Sequence, residues 1–181
     1  MIRGQNRRFS VACLAAAVVI LVDQTTKSAA LTGLSQEKRI PLLGDLLGLQ
    51  LAFNPGAILS LGAEVTGLLT LLGAGVVAFL VFEATRARTG WWALGIGLIL
   101  GGAIGNLIDR LFSPPGFGVG HVTDFLAYGT LFIGNVADVA LGAGVIVLGL
   151  SLWTRHRRSP AGVNVATTDA SPANDSAVSE S

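Results

Sequence analysis

Four long apolar segments constrain the fold of this 181-residue chain more than any other sequence feature. They lie at about 9–30, 65–82, 91–108 and 131–152. A helix needs about 20 mainly apolar residues to cross the hydrocarbon core of a bilayer, and each segment approaches that length. Only 13% of the residues are charged, whereas soluble domains have about 25%. The sequence therefore predicts an all-α integral membrane protein with four transmembrane helices.

The basic residues predict how these helices are oriented. Eight of the 12 Lys and Arg residues lie before the first segment, between the second and third, or after the fourth. These eight are Arg3, Arg7, Arg8, Arg86, Arg88, Arg155, Arg157 and Arg158. Short loops that are rich in Lys and Arg stay in the cytoplasm. We therefore expect both termini in the cytoplasm, as an even number of helices requires.

The rest of the chain divides into two outer connections and a tail. Residues 32–64 are apolar but interrupted by Gly, Pro and Asp, which favours short strands at the membrane interface. Residues 112–125 contain Pro and Gly in a pattern typical of a loop. Residues 159–181 contain no aromatic residue, and we expect a disordered cytoplasmic tail there. Residues 1–158 would then form one membrane domain.

The polar residues close to the apolar segments gather at one membrane face, which is the outer face in this orientation. They are Asp23, Lys27, Asn54, Asn106, Asp109, Arg110, Asp124, Asn135 and Asp138. Random placement would have put some of them at the inner ends, so their convergence indicates a site. A single cysteine, Cys13, excludes an internal disulfide, and two histidines argue against a metal site of His and Cys ligands.

Among these residues, Asp138 carries the strongest indication of function. A charged side chain at the centre of a membrane helix costs about 2.5 to 3.5 kcal/mol on insertion scales, and such residues usually face a bundle interior or cavity. The apolar segment around Asp138 offers no obvious cation. With Asp124, it could form a pair that shares one proton, as in aspartic proteases. A proton relay in a transporter would use the same chemistry, so both functions stay open.

The other polar residues each have a simpler structural interpretation. Asp23 and Lys27 are spaced i,i+4, which is typical of an ion pair on a helix surface. Asp109 and Arg110 could anchor the outer end of the third helix. The Asn-Pro-Gly sequence at 54–56 is typical of a turn. The glycine-rich third segment, in turn, is typical of a face where helices pack closely.

Five motifs resemble those of a known bacterial family, the lipoprotein signal peptidases (signal peptidase II). They are VDQTTK at 22–27, FNPGA at 53–57, GNLIDR at 105–110, VTDF at 122–125 and NVAD at 135–138. The motifs occur in the family's order and at suitable separations over nearly the whole chain except the tail. The resemblance implies an integral aspartyl endopeptidase with four transmembrane helices and a small extracytoplasmic β-cradle between the first two.

The resemblance also implies roles for particular residues. The family's two catalytic aspartates correspond to Asp124 and Asp138. Its substrate-binding or supporting positions fall on Asp23, Lys27, Asn54, Gly56, Asn106, Asp109, Arg110 and Asn135. We therefore expect an enzyme of the bacterial inner membrane that cleaves diacylglyceryl-modified prolipoproteins before the lipidated cysteine. We further expect a monomer in contact with membrane lipid, without a metal, cofactor or nucleic acid.

The sequence departs from the family pattern at four positions, Ile58, Leu59, Gly134 and Val139. The family usually has Ala-Phe at the first two, Phe at the third and a small residue at the fourth. These differences concern pocket shape, substrate preference and inhibitor response more than catalysis. Two alternatives stay open: a small proton-coupled transporter and an inactive membrane homologue. A transporter would need polar residues through the full depth of the bundle, and the inner halves of the segments are nearly free of them.

Overall fold

The computed structural model describes residues 2–56 and 65–158, so Ile58, Leu59 and the expected tail lie outside the described residues. The helices are α1 (Ile2–Gly33), α2 (Thr66–Thr85), α3 (Gly90–Phe112) and α4 (Val136–Arg158). The strands are β1 (Ile40–Leu43), β2 (Leu47–Asn54), β3 (Val122–Tyr128) and β4 (Phe132–Gly134).

By length and composition, all four helices can cross a membrane. Large apolar side chains stay exposed along their outer surfaces, for example on Leu14, Leu71 and Ile146. Such surfaces suit lipid, because lipid tails are as apolar as the side chains themselves. The prediction of four transmembrane helices is confirmed, although α1 and α3 extend beyond the predicted segments at both ends.

Helix α3 contacts each of the other three helices and lies at the centre of the bundle. A Cβ atom on Gly97 would collide with the backbone of Ala12 in α1. One on Gly101 would collide in the same way with Ala16. Small residues let membrane helices approach closely, and this contact stabilises their association. The glycine-rich segment is therefore a packing face, as its sequence indicates.

A four-stranded antiparallel sheet, in the order β1-β2-β3-β4, packs against α1 and the start of α4. The strands expected between the first two helices are present as β1 and β2. The prediction of a loop at 112–125 is wrong at its end, because β3 begins at Val122 and carries Asp124. Residues 122–128, VTDFLAY, include β-branched and aromatic side chains that favour a strand, and β2 supplies the pairing partner.

Helix α4 begins at Val136 rather than at the predicted position 131. The preceding Phe132–Gly134 pairs with β3 instead. Asn135 then caps the helix, because its Oδ1 accepts the Asp138 backbone N–H at 3.0 Å and its own N–H donates to Asp138 Oδ2 at 3.1 Å. This reciprocal pattern is a capping box. Asp138 therefore lies in the first turn of α4, and not within the apolar length of the helix.

Candidate active site

A cleft of about 730 Å³ lies between the sheet and the adjoining ends of α3 and α4. Among the described residues, its polar lining consists of Asn54, Asn106, Arg110, Asp124, Asn135 and Asp138. All six were predicted from the sequence, and the predicted Gly56 lines the cleft as well. The remaining predicted residues, Asp23, Lys27 and Asp109, do not line the cleft but form a buried ion cluster bonded to Asn106.

Asn135 holds both candidate catalytic carboxyl groups. Its side-chain Nδ2 donates to Asp124 Oδ1 at 2.6 Å, and its backbone N–H donates to Asp138 Oδ2 at 3.1 Å. Asp124 is held on β3 by its pairing with Ala52 of β2, and only 3% of its surface is exposed. A strand and a helix N-terminus thus bring the two carboxyl groups to one cleft.

The side chain of Asn106 connects Asp138 to a buried lysine. Its Nδ2 donates to Asp138 Oδ1 at 3.1 Å, while its Oδ1 accepts from Lys27 Nζ at 3.0 Å and from Asn135 Nδ2 at 3.1 Å. An ammonium group can only donate hydrogen bonds. Lys27 therefore fixes the orientation of this amide, and the amide nitrogen stays directed at Asp138.

Asp23, Lys27 and Asp109 form an ion cluster behind the cleft, here called the Lys27 cluster. Lys27 Nζ lies 2.8 Å from Asp23 Oδ2 and 2.9 Å from Asp109 Oδ2. Asp23 also accepts the backbone N–H of Ala137, and Asp109 accepts that of Thr123, both at 2.9 Å. The predicted ion pair is present, but the expectation of a helix-surface pair is wrong because all three side chains are buried. The cluster ties α1 and α3 to α4 and β3.

Arg110 holds the turn that borders the cleft. Its guanidinium donates to the carbonyl oxygen of Pro55 at 3.2 Å and also to that of Gly56. Within the turn, Asn54 Oδ1 accepts the Gly56 N–H at 3.0 Å, which is the hydrogen bond of an Asx turn. The interpretation of Arg110 as a helix anchor thus extends to a second role, in which it positions the end of β2.

Burial, followed by the negative charge of Asp138, raises the pKa of Asp124 from 3.8 to about 7. Hydrogen bonds from Asn135 and Asn54 and the charge of Lys27 act against this shift. Two neighbouring carboxyl groups cannot both ionise easily. Near neutral pH, a large fraction of Asp124 therefore carries a proton.

Sequence reasoning missed three residues at or near the site, Gln24, Tyr128 and Phe132. The side-chain nitrogen of Gln24 donates to Asp109 Oδ1 at 3.2 Å, and a polar residue within a membrane segment was itself an available signal. Burial and the charge of Asp138 raise the pKa of Tyr128. The side chain of Phe132 lines the cleft. Both aromatic positions depend on the β3–β4 register, which no local pattern indicated.

Comparison with known proteins agrees with the family resemblance of the five sequence motifs. A family model described as Signal peptidase (SPase) II matches residues 15–154. A lipoprotein signal peptidase of Leifsonia xyli subsp. xyli is 42% identical over 94% of this chain and 81% of its own length. Another, from Rhodococcus jostii, is 44% identical over 74% of this chain and 67% of its own length.

Two solved structures of bacterial membrane enzymes, both determined by the in meso method, share the fold. One, at 2.3 Å resolution, has a TM-score of 0.73 with 23% identity, over 85% of this chain and 94% of that chain. The other, at 1.9 Å, has a TM-score of 0.68 with 24% identity, over 79% of this chain and 92% of that chain. These likenesses confirm the predicted arrangement of four membrane helices and a small sheet.

Proposed function

The chain belongs to the signal peptidase II family, and we propose that Asp124 and Asp138 are the catalytic pair with which it removes signal peptides from prolipoproteins. The chain is a multi-pass bacterial membrane protease. One observation carries the assignment of the pair: Asn135 donates a hydrogen bond to each carboxyl group at the same cleft. Family membership favours this function over a transporter.

The proposed substrates are diacylglyceryl-modified prolipoproteins, cleaved before the lipidated cysteine. Asp138 lies in the first turn of a membrane-spanning helix, so a peptide bond next to it would lie near a membrane surface. The apolar side chain of Leu141 lines the cleft one turn further along the same helix. The acyl chains of the cysteine could remain in the bilayer on that side while the peptide occupies the cleft.

Asp138 is assigned as the general base and Asp124 as the general acid. The Asp138 carboxylate accepts N–H groups from Asn106 and Asn135, and the N-terminus of a helix stabilises negative charge. The raised pKa of Asp124, about 7, keeps a proton available on that residue near neutral pH. The pair would thus start with one proton, as in aspartic proteases.

In the first step, the oxygen of a water molecule attacks the scissile carbonyl carbon. Asp138 takes a proton from this water, while Asp124 gives its proton to the carbonyl oxygen. In the second step, the tetrahedral diol collapses and the carbon–nitrogen bond breaks. Asp138 gives its proton to the leaving nitrogen, and Asp124 recovers one from the diol hydroxyl. The products are the signal peptide and a lipoprotein with a free amino group on its cysteine.

The other predicted residues are assigned positioning roles. Asn106 and Asn135 orient the two carboxyl groups, and the Lys27 cluster orients Asn106. Arg110 positions the turn at residues 54–56, where backbone groups border the space available to a peptide. We also propose that the protein works as a monomer, since both residues of the proposed pair, Asp124 and Asp138, line the cleft of a single chain.

The positive-inside rule supports an orientation with both termini in the cytoplasm and the cleft at the outer face. Fusions of reporter enzymes after Arg158 would test this orientation. A reporter that is active only in the periplasm should be inactive there, and a cytoplasmic reporter should be active. The opposite pattern would reverse the proposed topology and move the cleft to the inner face.

Cleavage of a purified precursor tests the function directly. The detergent-solubilised protein is incubated with a diacylglyceryl-modified prolipoprotein and, as a control, with the same precursor lacking the lipid. We expect a shortened product from the lipidated precursor only. Failure to cleave it, combined with proton flux in liposomes, would favour the transporter.

A further inference from the structure

Phe132 brings an aromatic ring next to Asp138 because Gly134 has no side chain to separate them. A Cβ atom on Gly134 would lie 2.8 Å from Asp138 Oδ2 and 3.4 Å from Cε2 of Phe132. Residues 132 and 134 project from the same face of β4, since side chains alternate along a strand. The ring edge and the carboxylate therefore face one another across the space that Gly134 leaves open.

Tyr128 fixes the position of this ring. Tyr128 pairs with Phe132 in the register between β3 and β4. The two rings stack with their centroids 4.7 Å apart and an interplanar angle of 27°. Tyr128 is half-buried, whereas Phe132 remains 45% exposed and lines the cleft. Tyr128 thus supports the ring of Phe132, and the exposed surface of that ring forms part of the cleft lining.

Resting on the proposed function, we infer that Phe132 is a specificity-determining residue that limits the size of the substrate side chain on the amino side of the scissile bond. The lipidated cysteine, on the carboxyl side, is anchored in the bilayer. It takes the part of the cleft lined by Leu141, which lies further along the membrane-spanning helix. The preceding residue then extends from Asp138 in the other direction, towards β4 and the ring of Phe132.

Because the ring of Phe132 is held in place beside the reacting bond, it should exclude a large substrate side chain rather than bind it. The stacked Tyr128 prevents the ring from moving away on one side. A difference of one methylene group in an apolar pocket changes kcat/KM by about 10- to 200-fold. A small residue such as Ala should therefore fit before the cysteine, and a Leu at the same place should meet the ring.

Two lipidated precursors that differ only in this residue, Ala or Leu, test the inference. We would measure kcat/KM on both for the unmodified enzyme, Phe132→Ala and Phe132→Leu. Phe117→Ala is the matched control, because Phe117 is 78% exposed, contacts Phe112 and does not line the cleft. The unmodified enzyme and the control should strongly prefer Ala. Phe132→Ala should reduce that preference about tenfold or more, and Phe132→Leu should reduce it less.

A merely structural role of Phe132 would lower kcat/KM for both precursors and lower the melting temperature, with their ratio unchanged. If the ratio of kcat/KM for the Ala and Leu precursors is unchanged in a folded Phe132→Leu protein, the inference is overturned. This variant provides the test if Phe132→Ala does not fold. The proposed function fails separately, since in that case the unmodified enzyme would cleave neither precursor. Cleavage of the Ala precursor together with an unchanged ratio refutes the role of Phe132 alone.

Discussion

Two pairs of aspartates lie close together in this protein, and their charges are balanced in different ways. Asp23, Asp109 and Asp124 are buried, whereas Asp138 is half-buried. Asp23 and Asp109 share the ammonium group of Lys27 at 2.8 and 2.9 Å, and each also accepts a backbone N–H. Asp124 and Asp138 accept hydrogen bonds from amide groups. Within the described part of the chain, neither forms an ion pair with Lys or Arg.

The difference shows how one residue type can serve two purposes in the same small region. A buried carboxylate is costly unless it is paired and hydrogen-bonded. In the Lys27 cluster the pairing is complete, so the two charges hold helices and strands together. In the cleft the pairing is incomplete, because the carboxyl groups accept hydrogen bonds but form no ion pair within the described residues. The raised pKa of Asp124 is one consequence. The incompletely paired carboxyl groups are the ones able to exchange protons near neutral pH.

The largest expected effect is the loss of turnover when either cleft aspartate becomes an amide. Asp138→Asn or Asp124→Asn removes a group that must take or give a proton, and general acid–base catalysis contributes about 10²- to 10⁴-fold. The two residues act as a unit, so one substitution should cost about as much as both. Cleavage of a lipidated precursor by each purified variant, and by the double variant, measures this loss.

Folding of these amide variants should survive, because Asn is nearly isosteric with Asp and a neutral amide is cheaper to bury than a carboxylate. Thermal melts in detergent provide the control. Near-normal cleavage by either folded variant would falsify the assignment of the catalytic pair. It would also mean that the cleft pair, Asp124 and Asp138, does not differ in function from the pair in the Lys27 cluster.

Next in size is the effect of removing the cation from the Lys27 cluster. Lys27→Met keeps the length of the side chain but leaves Asp23 and Asp109 buried without a counter-ion. Breaking a buried ion pair in this way typically lowers the free energy of unfolding by about 3 to 5 kcal/mol. Lys38→Met is a suitable control, because Lys38 is exposed. Equal melting temperatures for the two variants would mean that the cluster does not stabilise the fold.

A third effect concerns pH and acts on the cleft alone. The proposed acid, Asp124, must be protonated to act, and its pKa is about 7. As the pH rises through that value the proton is lost, so kcat/KM should fall about tenfold per pH unit well above it. The apparent value belongs to the coupled pair of carboxyl groups. A pH–rate profile measures the fall, and Tyr128→Phe should retain it because the pKa of Tyr128 is raised and lies further from neutrality.

The same shift also affects stability, and it acts in the same direction as its effect on activity. The folded state favours the protonated form of Asp124, so its contribution to stability is greatest at low pH. That contribution is lost as the pH rises from the ordinary value of 3.8 to about 7. A profile of kcat/KM that stayed flat up to pH 9, with a stable protein, would contradict the role of Asp124 as acid.

The sequence predicted the helices and the candidate residues well because both depend on local or one-dimensional patterns. Apolar length predicts a membrane helix, and polar residues that interrupt such a length stand out. The strand β3 was harder to predict, because Val122–Tyr128 follows a loop rich in Pro and Gly and gains its partner from residues about 75 positions earlier. The start of α4 was misplaced because apolar residues 131–134 suit a strand and a helix equally.

The division of the four aspartates into two pairs could not be predicted from the sequence. Asp23 and Lys27 are separated by one helical turn, so their pairing was foreseeable. The third member, Asp109, joins them only because the small Gly105 lets α1 and α3 approach, and a Cβ there would collide with Asp23. The bond from Asn106 to Asp138 likewise depends on helix packing. Such contacts follow from the tertiary fold, which the spacing of residues does not specify.

The smallest of the effects, and the one that sharpens the comparison most, is expected for Asp109→Asn. This change removes one of the two carboxylates of the Lys27 cluster but leaves Lys27 paired with Asp23. The amide oxygen can still accept the Thr123 N–H. A hydrogen bond to a charged group is worth about 1.5 to 3 kcal/mol, and the retained contacts place the expected loss of stability near the lower end.

The loss of cleavage should also be small, because Asp109 bonds to neither cleft carboxyl group. It acts through Lys27 and Asn106 and through the Thr123 N–H, which the amide can still bind. We therefore expect the folded Asp109→Asn protein to lose much less kcat than Asp138→Asn. Its melting temperature should be lower than that of Asp138→Asn. Parallel melts and cleavage assays of the two variants measure both quantities. If Asp109→Asn abolished cleavage in a well-folded protein while Asp138→Asn did not, the roles of the two pairs would have to be exchanged. The charge balance around a buried aspartate would then fail to distinguish a structural role from a catalytic one.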